Sequence, residues 1–150
     1  MKIVIQRVLE ASVQIEHNTV AAIKTGLLIL LGIVEEDTQN DIDWLCKKVV
    51  NLRIFPDENG VMNTSLKTAN GDVILVSQFT LYASTKKGNR PSYIKAAKPD
   101  VAIPLYQKFI ETLQTELGKP IQTGQFGADM QVRLVNDGPV TIIIDSKNKD

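Results

Sequence analysis

Two short stretches of this 150-residue chain carry polar groups where they could do chemistry: Ser77-Gln78-Phe79-Thr80-Leu81 and Asn136-Asp137-Gly138-Pro139-Val140-Thr141. The first places two hydroxyls and an amide at the end of an apolar run. Buried groups of that kind need partners, so the cluster is either a structural hydrogen-bond network or a site. If residues 73–81 form one strand, alternation puts Gln78 and Thr80 on one face and Ser77 and Phe79 on the other. The second stretch separates two apolar runs, 132–135 and 140–144, and read locally it is a hairpin turn. Pro139 has no N–H to donate and Gly138 lets main chain approach closely, so this tip can present bare carbonyls.

Familiar catalytic machinery is hard to assemble from the rest. The one histidine, His17, falls in an early turn beside Asn18, which suits a solvated turn residue better than a triad base. The one cysteine, Cys46, lies on the apolar stripe of an expected helix and reads as a buried structural thiol. One Cys and one His make no zinc cluster, and no metal site is expected. There is no Walker loop and no Gly-x-Gly-x-x-Gly, which argues against nucleoside triphosphate and dinucleotide chemistry.

Lys+Arg and Asp+Glu balance at 17 each, so no global field draws in nucleic acid and any such binding needs a local patch. Lys86-Lys87-Gly88-Asn89-Arg90, followed by Lys95 and Lys98, is the plausible one. A solvated surface loop is its simpler reading. No apolar run approaches the roughly 20 residues a membrane span requires. The opening Met1-Lys2-Ile3-Val4-Ile5-Gln6-Arg7 reads as a first strand, and a lone cysteine suits a reducing compartment, so a cytoplasmic protein without a membrane partner is expected.

The elements that must position these residues follow from periodicity. Val- and Ile-rich segments at 2–9 and 12–16 suggest two strands joined by a tight turn at Glu10-Ala11, with a third strand at 19–24. Residues 27–34 are apolar apart from Gly32 and predict a central strand buried on both faces. Thr38 with Asp41 approximates a capping box, and Ile42, Leu45, Cys46, Val49 and Leu52 predict a helix over 39–52. Pro99 opens a second helix whose apolar face carries Leu105, Tyr106, Phe109, Ile110, Leu113 and Leu117, ending at Gly118-Lys119-Pro120. Strands near 121–125, 130–136 and 139–145 close the chain. The expected fold is α+β over residues 1–150 as one domain: a mixed sheet or flattened barrel with two main helices on one side.

Read together, the two segments resemble the signature pair of the D-aminoacyl-tRNA deacylase family, formerly called D-tyrosyl-tRNA deacylases. The resemblance spans the chain: the Met1-Lys2-x-Val4-x-Gln6-Arg7-Val8 opening, 77–81, Lys87-Gly88-Asn89-Arg90-Pro91-Ser92, Thr123-Gly124-x-Phe126-Gly127-Ala128-x-Met130, and 136–141. It implies a homodimer that acts on tRNA, hydrolysing the ester of a D-amino acid, or of glycine mischarged on tRNA(Ala), without metal or cofactor. It implies a cis Gly138-Pro139 bond that enters the partner's pocket as a chirality filter, with Arg7, Asn136 and Thr141 in support. Ser77, Gln78, Phe79 and Thr80 would form the reaction floor. There the substrate's own 2′-hydroxyl helps activate water, and main-chain amides near Phe79 and Thr80 stabilise the oxyanion. Phe126, Gly127, Ala128 and Met130 would receive the terminal adenine, although Met130 could equally serve packing. Lys86, Lys87 and Arg90 would meet the acceptor stem, and no DNA partner is implied. Two rival readings are a non-catalytic module that binds tRNA ends and an esterase with Thr80 as nucleophile.

Overall fold

A computed structural model describes residues 1–149. In chain order the elements are β1 (Lys2–Ile15), β2 (Asn18–Ile23), β3 (Gly26–Gly32), α1 (Gln39–Asn51), β4 (Phe55–Pro56), β5 (Met62–Thr64), α2 (Leu66–Ala69), β6 (Asp72–Ser77), a 3-10 turn (Phe79–Tyr82), α3 (Pro99–Leu117), β7 (Gln122–Thr123) and β8 (Gln131–Asp145). The main sheet is mixed. β1 pairs antiparallel with β2, β3 and β8, while β3–β6 and β6–β7 are parallel.

One register runs from Lys2↔Gly32 through Val8↔Gly26 to Ala11↔Ile23, so β2 and β3 act as a single strand interrupted at Lys24-Thr25. The turn expected at Glu10-Ala11 is absent: β1 continues through it, and the polar interruption is a bulge. Ile3 and Ile5 face the helices. Val8 belongs to the opposite face, and the extra residue Leu9 resets the alternation so that Ala11 and Val13 join Val8 in a second cluster with Ile74 and Val76. β3 feeds both clusters, Leu27, Ile29 and Leu31 on the helix side and Leu28 on the other, as its apolar run predicts.

α1 and α3 pack together on one side of the sheet, their Leu45, Val49, Phe109 and Leu113 fully buried against β1 and β3. At the start of α1 the Thr38 amide donates to Asp41 Oδ2 at 2.8 Å, the back-reaching half of a capping box. Pro99 occupies the first turn of α3, and Gly118 at φ +82° stops it. Among the described residues no helix is long and apolar enough to cross a membrane.

Two expected breaks fall elsewhere. The strand predicted over 73–81 ends at Ser77, and a 3-10 turn follows. The hairpin predicted at Asp137-Gly138-Pro139 does not form: β8 runs straight through in one direction, both halves pairing with β1.

Candidate active site

Gln78 continues from β6 by donating its amide to the Leu31 carbonyl at 2.8 Å, after which the chain tightens and Leu81 N–H bonds Gln78 O at 3.2 Å. A turn of this kind leaves its leading amides without internal acceptors, and those of Phe79 and Thr80 have none among the described residues. Gln78 Nε2–H donates to Thr80 Oγ1 at 2.5 Å. Gln78 and Thr80, expected on one face, form one polar pair beside an exposed Phe79, though through a 3-10 turn rather than strand alternation. The turn lies on the sheet face opposite the helices. Gly32 permits this, since a Cβ there would sit 3.0 Å from the Tyr82 ring, and Lys2 Nζ stands 5.0 Å over the same ring.

The second segment is a bulge opposite one arginine. Gln6 pairs with Thr141 and Val8 with Asn136, so residues 137–140 all face Arg7. Asn136 closes the neck: its Nδ2 donates to Arg7 O and to Val140 O, each at 3.0 Å, replacing ladder bonds that the bulge removes. Arg7 is buried. Its Nη1 donates to Ile54 O at 2.5 Å, and its Nε lies 3.0 Å from Asp137 Oδ2. Gly138 has φ +132°, and the Gly138-Pro139 bond is cis. A Cβ on Gly138 would come within 2.7 Å of Val140 Cγ2 and 3.3 Å of Arg7 Nη2. Thr141 Oγ1 accepts a 3.3 Å bond from Gln6 Nε2.

One chain does not bring these two segments together. The bulge sits at the level of Leu27 and the turn at Leu31, with β1 and β3 between the strands that carry them. Four residues along and three strand spacings across put them roughly 20 Å apart.

The turn 125–128, closed by Ala128 N–H to Gln125 O, follows β7 and so lies at the same strand-end edge as Ser77. Phe126 is half-buried there with its ring 5.9 Å from that of Tyr106, while Gly127 at φ +76° has open space around it. Tyr106 donates to Leu75 O at 3.2 Å, and burial pushes its phenol up to about 12, which keeps it neutral. Met130 packs against the second cluster, close to Gly124 and Val13.

Lys86, Lys87 and Arg90 stand exposed on a finger cinched by the Ser84 and Ser92 backbone pair, at 2.8 and 2.9 Å. His17 is exposed at φ +66° in the β1–β2 turn. Cys46 is buried against α3, and burial pushes its thiol well above the usual range, so it is no nucleophile. Among the described residues no His, Cys, Asp and Glu cluster could hold a metal. Sequence reasoning missed two groups. Asp137 pairs with Arg7, and Tyr93 packs edge-on against Phe79 at 5.0 Å. The signal for Tyr93 was its place three residues after a basic run.

A sequence profile described as D-Tyr-tRNA(Tyr) deacylase matches residues 4–145, nearly the whole chain. The chain belongs to that deacylase family. A D-aminoacyl-tRNA deacylase of Flavobacterium psychrophilum is 67% identical over 150 residues, covering all of both chains. Another from Bacteroides fragilis is 63% identical over the same span. A solved structure titled c-Myc DNA Unwinding Element Binding Protein superposes with TM-score 0.89 at 41% identity, covering 97% of this chain and 98% of that one. A probable eukaryotic D-amino acid tRNA deacylase, 16% identical with TM-score 0.81 over 95% and 97% of the two chains, shares the deacylase fold.

Proposed function

We propose that this chain hydrolyses the ester linking a D-amino acid to the 3′ end of tRNA, and that it works as a homodimer whose sites are each built from two subunits. The carrying observation is the part of the sheet face opposite the helices that the second cluster leaves uncovered. A strip runs across it from the Phe79–Thr80 turn, over Leu30, Val4 and Ile143, to Thr141, which adjoins the Gly138-Pro139 bulge in the chain. Ile143 is 67% exposed, unusual for an isoleucine in a paired strand. The strip carries one motif at each end. Packing it against a second copy by a two-fold axis sets the turn of each subunit under the bulge of the other, which supplies the closeness one chain lacks.

In such a site the Phe79 and Thr80 amides stabilise the oxyanion as the ester carbon becomes tetrahedral. The Gln78 amide donates to the Thr80 oxygen, which lowers its nucleophilicity and leaves its proton free to donate. That favours positioning over covalent attack. As the family resemblance implies, the substrate's ribose 2′-hydroxyl helps activate the water, in keeping with a Thr80 hydroxyl that is hydrogen-bonded to Gln78. Gly138 and Pro139 receive the substrate's amino group with main-chain oxygens and leave no volume for an L side chain, so selectivity comes from rejection. Glycyl-tRNA mischarged on tRNA(Ala), which lacks the offending side chain, passes the same filter. Phe126, Gly127 and Ala128 form a wall for the terminal adenine. Soluble tRNA places the reaction in the cytoplasm.

Incubation with D-tyrosyl-tRNA and L-tyrosyl-tRNA tests the reading. The D ester should disappear far faster than its spontaneous rate and the L ester should not. Tight binding of tRNA with no turnover of either ester would instead establish a non-catalytic module.

A further inference from the structure

The Phe79 ring meets Tyr93 edge to face, centroids 5.0 Å apart and planes at 77°. Both rings stay open to solvent, Phe79 at 54% and Tyr93 at 38%, beside Ile94 at 90%. Within one subunit nothing else among the described residues covers them. Tyr93 is held from both sides. Ser92 closes the finger that bears Lys86, Lys87 and Arg90, and Ala96 N–H bonds Tyr93 O at 2.9 Å before Ala97 N–H anchors the chain to Ile33 O. The aromatic pair thus joins the 3-10 turn, which bears Phe79, to the exposed cationic finger, with Tyr93 fixed by main chain.

Exposed aromatics next to a basic track suit single-stranded nucleic acid, because bases stack on the rings while phosphates meet the cations. Resting on the deacylase reading, we infer that Tyr93, steadied by Phe79, is a stacking platform for the unpaired nucleotide preceding the terminal adenosine of tRNA. The adenine wall at Phe126 follows a different strand, β7, whereas Tyr93 lies towards Lys86, Lys87 and Arg90. The RNA tail would then cross from the finger, over Tyr93, to the turn. This explains why the platform adjoins the reaction floor without being part of it.

The test compares D-tyrosyl-tRNA with the D-tyrosyl ester of adenosine, which has no preceding nucleotide, in wild type, Tyr93→Ala and Tyr93→Phe. Tyr93→Ala should raise KM for the tRNA about tenfold, in the range expected for losing one base stack. Its kcat on the tRNA and its turnover of the adenosine ester should be unchanged, and Tyr93→Phe should match wild type. Independently of turnover, fluorescence anisotropy with a short RNA ending in CCA should show about tenfold weaker binding to Tyr93→Ala alone. Equal KM values for wild type and Tyr93→Ala on the tRNA overturn the platform, as does an equal loss on both substrates. If wild type turns over neither ester, the deacylase reading fails, and the anisotropy comparison still decides whether Tyr93 stacks RNA.

Discussion

Asp137 Oδ2 lies 3.0 Å from Nε of Arg7, so the one residue that faces the β8 bulge also grips the bulge's first member. Arg7 is buried and donates to Ile54 O with its other arm. A two-armed fork is needed for that, and lysine is a point charge. Arg7→Ala should lower stability by about 1–3 kcal/mol, because it leaves the Ile54 carbonyl without its donor and Asp137 without its ion partner. Arg7→Lys should recover little of the lost deacylation. Urea unfolding and turnover of D-tyrosyl-tRNA check both.

Gly138→Ala should abolish most activity, while Asp137→Ala should cost only several-fold. The backbone at φ +132° disfavours any L side chain, and the new Cβ would collide with Val140. Asp137→Ala leaves the bulge its Asn136 neck. Equal, small effects on kcat/KM would remove Gly138 from the filter.

Thr80→Ala should reduce kcat about a hundredfold, as for loss of one transition-state donor, yet remain above the uncatalysed rate. Reduction to the uncatalysed rate with tRNA binding intact would make Thr80 the nucleophile.

Much of this architecture was legible in the sequence, and the places where it was not share a cause. The helices were readable because capping and apolar spacing are local: Thr38 with Asp41 and Pro99 with Gly118 set their ends within a residue or so. Glu10-Ala11 and Asp137-Gly138-Pro139 read locally as turns, but each is a bulge whose direction is set by a partner strand far away in the chain. Asn136 bonding to Arg7 O, across 129 positions, cannot be read locally. β6 ends just after its partner does: Gln78 takes the Leu31 carbonyl and β3 stops at Gly32, another distant relationship. The four-residue α2 and the short β4–β5 pair are too small to show a period. For the site, residue types gave the chemistry of each half, while their separation within one chain emerged only from the register.

Acid stability should depend on Asp41. Burial pushes its carboxyl up, but bonds from Ser146, Lys147 and the Thr38 amide outweigh that and hold it well below the usual range. A carboxylate depressed in the folded state contributes stability that is fully present above its unfolded pKa of about 4 and is lost as pH falls through the acid range. Asp41→Asn should therefore be less stable at neutral pH and show a shallower loss between about pH 5 and 2. Urea midpoints across that range check it.

Replacing Lys86, Lys87 and Arg90 together with alanine should raise KM for tRNA and leave kcat alone. The slope of log affinity against log salt should become shallower by about 2, as expected when two or three phosphates are no longer neutralised by the protein. An unchanged slope would return the finger to a solvated loop.

Subunit mixing tests the composite site most directly. Thr80→Ala and Gly138→Ala subunits, carrying different tags and co-expressed so that they pair at random, give mixed dimers in which one site has both halves intact. About a quarter of wild-type activity should return, since half the dimers are mixed and each has one working site of two. Activity no higher than the average of the two parent variants would contradict a site shared between subunits.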